Sequence, residues 1–327
     1  LKYGTKIRCS EILAVGRVAS AFRSDVARRF GVTLPVEPIR GRTDRLLLLV
    51  SDGGDRDVPR LGQVGRAEGY RLRADARRIA IEADDLPGLW NATRTLVQLI
   101  RLADGGQIMV PGVEIEDWPS LAVRAAAIDA AGLQRLSPAY LATLIRSLSD
   151  LKYNTVVVAL GNRFDFEGVG VGEGGLTAEQ LTALSVSARE SCVTLVPGFD
   201  AFGRMDGVLT RGYAHLRESP DDPSTIAPLS PEAEKFLDTC IGEIAAASAG
   251  PLLHLGGRGG DPVMWGGSAP LSRDLAAREG AWALPAWHFT TLASLARQKG
   301  RTPCFWADAL LKRPETLMGL DRAAVLF

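Results

Sequence analysis

The segments VRAAAID (Val123–Asp129) and TVVVAL (Thr155–Leu160) decide the fold class of this chain. Both are short and almost continuously apolar, and a segment of helical periodicity that begins near Ser137 separates them. Strands that are apolar on both faces and alternate with helices are typical of a parallel sheet covered on both sides. The two segments therefore predict an α/β fold.

The same alternation continues to the end of the sequence. The further strand candidates are VTLVP (Val193–Pro197), LLHL (Leu252–Leu255), PCFW (Pro303–Trp306) and AVLF (Ala324–Phe327), and further helices begin near Thr177, Pro231 and Pro285. The pattern gives six strands, whereas a complete (β/α)8 TIM barrel has eight. We therefore expect a (β/α)8-type TIM barrel that is incomplete at its C-terminus, because it is either truncated or naturally incomplete.

A different pattern precedes the barrel. It contains a helix near Glu11–Phe30, the strand RLLLLV (Arg45–Val50), an alternating strand pair in GYRLRADARRIAIEA (69–83) and a helix from about Pro87. Apolar residues that recur with a period of two predict strands, and those with a period near 3.6 predict helices. We predict a small N-terminal α+β domain over residues 1–117 and the barrel domain over residues 118–327.

Composition excludes several classes of partner. Lys and Arg together number 38, as do Asp and Glu, so the net charge gives no reason to expect nucleic acid or an anionic membrane. No apolar run reaches the ~20 residues of a membrane span. The first residues, LKYGTKIRCS, lack the apolar core of a signal peptide, but no initiator Met precedes Leu1, so a bacterial cytoplasmic location and export of a processed protein both stay open. We expect no cofactor, and the oligomeric state is not predicted.

The four cysteines give no sign of a metal site. Cys9, Cys192, Cys240 and Cys304 are widely scattered, and none stands at the spacing of a zinc site. They are interpreted as small buried hydrophobic residues, and no metal site is expected.

Polar residues at strand ends are the candidates for a site, because the active site of a parallel barrel lies at the carboxyl ends of its strands. Asp129 ends the first barrel strand and is either a pocket carboxylate or part of a cap or salt bridge. Asp308 is either a pocket residue or the N-cap of the next helix. Trp306 either stacks on a sugar or fills the barrel.

Three further features have two interpretations each. Arg124 either binds a ligand or pairs with an acidic neighbour such as Glu116 or Asp117. His254 lies inside its strand and is interpreted as a core histidine with one satisfied nitrogen rather than a ligand. The glycine-rich loop from Gly256 to Asp261 either lets a ligand approach the backbone or forms a tight turn.

The sequence does not support a nucleotide-binding function or the common hydrolase classes. The GxGxxG match in Gly170–Gly175 stands in a polar loop rather than between a strand and a helix, which the dinucleotide fingerprint requires. No phosphate-loop, zinc-protease, serine-hydrolase or calcium-loop pattern occurs.

An ordered series of segments resembles the family 20 glycoside hydrolases, the β-N-acetylhexosaminidase family. The segments are EGYRLRADARRIAIEADDLPGLWNATRTLVQLI (68–100), VPGVEIEDWPSLAVRAAAID (110–129), LSDLKYNTVVVAL (148–160), LHLGG (253–257) and RTPCFWADALLKRPETL (301–317). The resemblance runs from about residue 10 to the end. It implies a non-catalytic α+β domain packed on a TIM barrel. It also implies hydrolysis of terminal N-acetylhexosamine residues, in which the substrate's own acetamido oxygen attacks the anomeric carbon.

The resemblance also shows where this chain departs from the family. An Asp-Glu pair follows LHLGG in the family; its Asp orients the acetamide and its Glu protonates the leaving oxygen. Here Arg258 and Gly259 stand at those positions, so the catalytic pair is replaced. Gly198 and Arg204 likewise replace a glutamate and a histidine of the strand-three signature. An alignment with a two-residue insertion places Asp261 where the acid belongs.

Two functions follow as expectations. The first is a divergent glycosidase with Asp261 as its catalytic acid, in which Arg124, Asp129, Arg258, Trp306 and Asp308 bind the sugar; the resemblance matches Arg124 to an arginine that contacts sugar hydroxyls. The alternative is a catalytically silent barrel that binds a glycan or has a structural role. A different hydrolase chemistry stays open, for which the available carboxylates are Asp165, Glu167 and Asp200, or these are solvated loop residues.

Overall fold

A computed structural model describes residues 5–39, 46–51, 60–103, 108–130, 136–161, 164–170, 172, 175–258, 269–312, 314–320 and 322–327. The chain divides into two compact units. The first comprises Leu1–Arg124, Ser147–Asn154 and Glu190–Cys192, and the second comprises Ala125–Arg146, Thr155–Arg189 and Val193–Phe327. The domain boundary between residues 117 and 118 stays a prediction.

The first unit is an α+β sandwich of one sheet and two long helices. Its strands and helices are β1 (Lys6–Ser10), α1 (Leu13–Phe30), β2 (Val36–Ile39), β3 (Leu46–Ser51), β4 (Tyr70–Ala74), β5 (Arg78–Ala83), α2 (Leu86–Leu99), β6 (Arg101–Leu102), β7 (Ile108–Met109) and β8 (Val113–Asp117). The main sheet has the order β2-β1-β3-β5-β4-β8, in which only the β1–β2 pair is parallel. β6 and β7 form a separate antiparallel pair.

Local sequence explains both helices. α1 buries Val15, Val18 and Phe22 and ends at Gly31, whose φ of 69° suits a residue without a Cβ. α2 begins after Asp85, whose side chain accepts a hydrogen bond from the Gly88 N–H at 2.7 Å. The predicted helices near residues 11–30 and from about residue 87 are confirmed.

A buried arginine links elements inside the first unit. Arg94 on α2 is 2% exposed and donates to Asp25 at 2.5 Å and to Asp150 at 2.7 Å. Its guanidinium also lies 4.5 Å from the ring centroid of Trp90. Asp25 is itself buried, so Arg94 supplies the charge that makes its burial tolerable.

The second unit is a curled parallel sheet with helices between its strands. It contains β9 (Ala125–Asp129), α3 (Pro138–Asp150, which ends in the first unit), β10 (Thr155–Ala159), α4 (Ala178–Glu190), β11 (Thr194–Gly198), α5 (Asp206–Leu209), β12 (Arg217–Ser219), β13 (Asp222–Ile226), α6 (Pro231–Ala247), β14 (Leu252–His254), α7 (Pro270–Glu279), α8 (Ala283–Gln298), β15 (Thr302–Phe305), α9 (Ala307–Lys312) and β16 (Val325–Leu326). The six-stranded sheet has the order β16-β15-β14-β11-β10-β9, and every neighbouring pair is parallel.

This architecture confirms the predicted incomplete TIM barrel with a small additional domain. All six predicted strands are present within two residues of their predicted bounds. The inner face of the sheet is built by Val157, Val196 and Cys304, against which Trp306 and Phe327 pack. Helix α7 and the antiparallel pair of β12 and β13 were not predicted.

The structure bears on the predictions for the cysteines and for a membrane span. The four cysteines are free, and Cys9, Cys240 and Cys304 are buried, as predicted for small hydrophobic residues. None of the helices in the described ranges is long and apolar enough to cross a membrane.

Candidate active site at the carboxyl edge of the sheet

Strand register sets one row of residues across the inner face of the second unit. Asp129 pairs with Ala159, Ala159 with Gly198, and Gly198 with His254. Alternate residues of a strand share a face, and Val157 and Val196 belong to the inner cluster. Ala159 and Gly198, two residues further along these strands, therefore face inward too, and so does Asp129 in the same row.

The middle of this row has almost no side chain. A Cβ at Gly198 would lie 3.2 Å from the Ala159 Cα and 3.3 Å from the Val158 carbonyl oxygen. These distances are tighter than ordinary contacts, so the strands approach closely there because position 198 is glycine. The row therefore forms a flat floor between the carboxylate of Asp129 and the imidazole of His254.

Asp200 stands above this floor. The chain stays hydrogen-bonded to the β14 segment past the end of β11, since the Phe199 N–H donates to the His254 carbonyl at 2.8 Å and the Ala201 N–H to the Leu255 carbonyl at 3.3 Å. Asp200 lies close enough to Asp129 on the inner face and to Arg258 for their charges to shift its pKa. A Cβ at Gly256 would lie 2.9 Å from Oδ1 of Asp200, so only glycine at that position leaves room for the carboxyl group.

The environment of Asp200 holds its proton unusually tightly. Burial raises the pKa of this carboxyl to about 6; Arg204 and Arg258 oppose the rise, and the negative charge of Asp129 adds to it. Asp200 is therefore partly buried rather than fully solvated. The sequence places it two residues after the end of β11, at the carboxyl edge where a barrel site is expected.

His254 is a buried neutral imidazole. It is 1% exposed, and its Nδ1 accepts a hydrogen bond from the Gly256 N–H at 3.1 Å. Burial and the charge of Arg258 lower its pKa to about 3, so the ring carries its single proton on Nε2. Within the described part of the chain, Nε2 is buried without a hydrogen-bond partner. This matches the predicted core histidine with one satisfied nitrogen.

Arg258, Trp306 and Asp308 form a wall beside the floor. The guanidinium carbon of Arg258 lies 3.9 Å from the ring centroid of Trp306, a cation–π contact. The Nε of Arg258 lies 3.9 Å from Oδ1 of Asp308, and both side chains are about half exposed, so this ion pair is weak. The Trp306 ring also packs on His254, with 4.3 Å between ring centroids.

Asp308 is not the N-cap of its helix, because the helix begins at Ala307. It lies in the first turn of α9, where its charge favours the helix dipole. The structure thus brings Arg258, Trp306 and Asp308 together, and it places Asp129 on the same inner face. The part of these four residues in binding sugar stays a prediction.

Arg124 has different surroundings. It directly precedes β9 and belongs to the first unit, where its guanidinium donates to Glu68, to the Leu121 carbonyl and to the Lys152 carbonyl. Its acidic partner is therefore Glu68 rather than Glu116 or Asp117. These contacts hold the chain at the start of the strand, and sugar binding by Arg124 stays a prediction.

Glu116 and Asp117 have their own basic partners. Glu116 pairs with Arg71 and Asp117 with Lys152.

Other predicted residues lie elsewhere. Gly259 and Asp261 fall outside the described residues. Asp165 and Glu167 line a separate cavity of about 760 Å³ between α4 and α6, in which the Glu243 carboxylate accepts hydrogen bonds from the Glu167 and Gly168 N–H groups. The structure therefore does not bring Asp165 and Glu167 together with Asp200.

Comparisons with known proteins agree with this fold. Residues 1–118 match "Glycosyl hydrolase family 20, domain 2". A β-hexosaminidase of Vibrio furnissii is 26% identical over 253 residues, which cover 64% of this chain and 40% of that protein. A β-N-acetylhexosaminidase of Cellulomonas fimi is 27% identical over 217 residues, which cover 58% of this chain and 43% of that protein. The matched residues thus span less than half the length of each of these two relatives.

Solved structures match over the whole chain. The exo-β-N-acetylglucosaminidase of Vibrio harveyi in complex with N-acetylglucosamine gives a TM-score of 0.79 at 17% identity, covering 100% of this chain and 55% of that one. The β-N-acetylhexosaminidase of Streptomyces coelicolor gives a TM-score of 0.75 at 20% identity, covering 100% and 65%.

Proposed function

Since this chain belongs with the family 20 glycoside hydrolases in sequence and fold, we propose that it acts on the terminal N-acetylhexosamine of glycans at the carboxyl edge of its parallel sheet. The observation that carries the proposal is the inner-face arrangement of a flat floor, an aromatic wall at Trp306 and carboxylates at Asp129 and Asp200. A sugar ring presents an apolar face and a rim of hydroxyl groups, which an aromatic ring and carboxylates complement.

The residues at this edge fit substrate-assisted hydrolysis. In that reaction the acetamido oxygen of the sugar attacks the anomeric carbon, so the protein supplies proton transfer and stabilises positive charge on the ring. The carboxylate of Asp129 provides negative charge on the inner face. The sequence predicts Asp261 as the acid that protonates the leaving oxygen, and the variant described below tests that role.

Binding of the same sugar without turnover is a second candidate, and Arg258 favours it. By the resemblance, Arg258 stands where the family has the Asp that stabilises the positive ring. Its charge reaches the site, since it lowers the pKa of both Asp200 and His254. A cation beside the anomeric carbon raises the energy of a positively charged transition state.

Turnover and binding are separated by measuring both on the same protein. The substrates are methylumbelliferyl glycosides of N-acetylglucosamine and N-acetylgalactosamine, and the variants are Asp261→Asn and the control Asp274→Asn. Asp274 is exposed on α7. Hydrolysis by the unaltered protein and by the control would support the proposal, and its loss in the Asp261 variant would identify Asp261 as the acid. Saturable binding of the free amino sugars without hydrolysis would establish the second candidate, and neither binding nor hydrolysis would refute both.

A further inference from the structure

We infer that Asp200 is the proton donor to the leaving glycosidic oxygen, a role that neither the sequence pattern nor the resemblance assigns to it. The inference deepens the proposed function and rests on it. It replaces Asp261 with a carboxyl group whose surroundings the structure describes.

The position of Asp200 is the first argument. Its carboxyl group packs directly against Gly256, where even a Cβ would come within 2.9 Å of Oδ1. Gly256 lies two residues after the end of β14 and two positions before Arg258. Asp200 is therefore a carboxyl group beside the loop in which the resemblance expects the catalytic pair.

The approach of Asp200 to the inner face is the second argument. Asp200 lies two residues beyond Gly198, the last residue of β11, and its carboxyl group is close enough to Asp129 of β9 and to Arg258 for their charges to shift its pKa. The floor row begins at Asp129 and passes through His254 to Cys304 on β15. A sugar resting on this floor has Asp200 above it, on the side of the strand ends where the rest of a glycan would leave the barrel.

The charges around Asp200 are the third argument. Arg204 faces it from the same loop, Asp129 from β9 and Arg258 from the loop after β14. Because burial outweighs the two arginines, the pKa of Asp200 rises to about 6. A general acid works best when its pKa lies near the working pH. Asp200 therefore holds a transferable proton in mildly acidic solution.

The reaction balances with this one group. The Asp200 carboxyl gives its proton to the glycosidic oxygen, the bond from that oxygen to the anomeric carbon breaks with its electron pair going to the oxygen, and the alcohol leaves. The acetamido oxygen forms a bond to the anomeric carbon as the alcohol departs. Water then attacks the anomeric carbon, the bond to the acetamido oxygen breaks, and the Asp200 carboxylate accepts the proton of the water.

Leaving-group dependence tests this role directly. A dinitrophenyl N-acetylglucosaminide needs no proton to release its phenolate, whereas an unsubstituted phenyl N-acetylglucosaminide does. We expect Asp200→Asn to lower kcat/KM for the phenyl substrate about 10²- to 10⁴-fold, the usual contribution of a general acid. The same variant should lower kcat/KM for the dinitrophenyl substrate less than about tenfold, since only proton transfer is lost.

Controls keep the outcomes distinct. Asp274→Asn should match the unaltered protein on both substrates, and circular dichroism checks that each variant is folded. Equal losses on the two substrates in a folded Asp200→Asn protein, or no loss on either, would overturn the inference while leaving the proposed function standing. A loss confined to the phenyl substrate in Asp261→Asn would likewise overturn it in favour of Asp261. Absence of turnover by the unaltered protein would refute the inference together with the hydrolytic function.

Discussion

Replacing Asp200 with asparagine should stabilise the protein at neutral pH, although the same change is expected to remove activity. Asparagine has the shape of the protonated carboxyl group and no charge to bury. Burial raises the pKa of Asp200 from 3.8 to about 6. Ionising it therefore costs about 2 to 3 kcal/mol more in the folded protein than in the unfolded chain, at about 1.4 kcal/mol per pKa unit.

The sign of the effect follows from proton binding. Between pH values of about 4 and 6 the folded protein keeps a proton that the unfolded chain releases, so this carboxyl group stabilises the fold less as the pH rises through that window. The amide of the Asp200→Asn variant does not titrate and has no such dependence. The advantage of the variant should be small below about pH 4, grow up to about pH 6 and stay constant above it.

Thermal unfolding followed by circular dichroism measures this difference. A gain of about 2 to 3 kcal/mol corresponds to a Tm increase of about 5 to 10 °C for a unit of roughly 200 residues. The Asp274→Asn control should show no pH-dependent gain, because Asp274 is exposed. An Asp200→Asn protein with a lower Tm at neutral pH, or with the same gain in acid and at neutrality, would refute the assignment of Asp200 as a buried carboxyl that resists ionisation.

Three other variants test the remaining contacts. Arg94→Met should lower stability by about 1 to 3 kcal/mol, measured as Tm, because the Asp25 carboxylate loses its buried basic partner and keeps the pair with the exposed Arg28; an unchanged Tm would contradict this. Gly198→Val should cost about 1 to 3 kcal/mol through overpacking and should weaken binding of N-acetylglucosamine in calorimetry by filling the floor; unchanged affinity would show that the sugar lies elsewhere. Arg258→Ala removes a charge that lowers the pKa of Asp200, so the fall in kcat/KM with increasing pH should move to higher pH; a fixed pH profile would contradict this.

The strands of the second unit could be predicted because their signal is local. A run such as Thr155–Ala159 is apolar throughout, which is how a strand buried on both faces reads. The ends are less certain, since the strand predicted as Pro303–Trp306 is observed as Thr302–Phe305. The residue at which a strand ends depends on its pairing with the neighbouring strand, so the sequence of one strand alone does not determine it.

The partners of charged residues could not be predicted because they come from distant positions. Arg124 was expected to find an acidic partner nearby, yet the fold supplies Glu68, which is 56 positions away. Asp200 depends in the same way on the approach of Gly256. Local sequence shows that a carboxylate stands near a strand end, but its burial is decided by a segment that reaches it only in the folded chain.

The most direct test of the account is fluorophore release from methylumbelliferyl N-acetylglucosaminide by the unaltered protein, measured from about pH 4 to about pH 8 across the range in which its acid titrates. Hydrolysis above the solvent rate, with kcat/KM falling as the pH rises through about 6, is the predicted result. No release at any pH, from a protein that circular dichroism shows to be folded, would contradict the account.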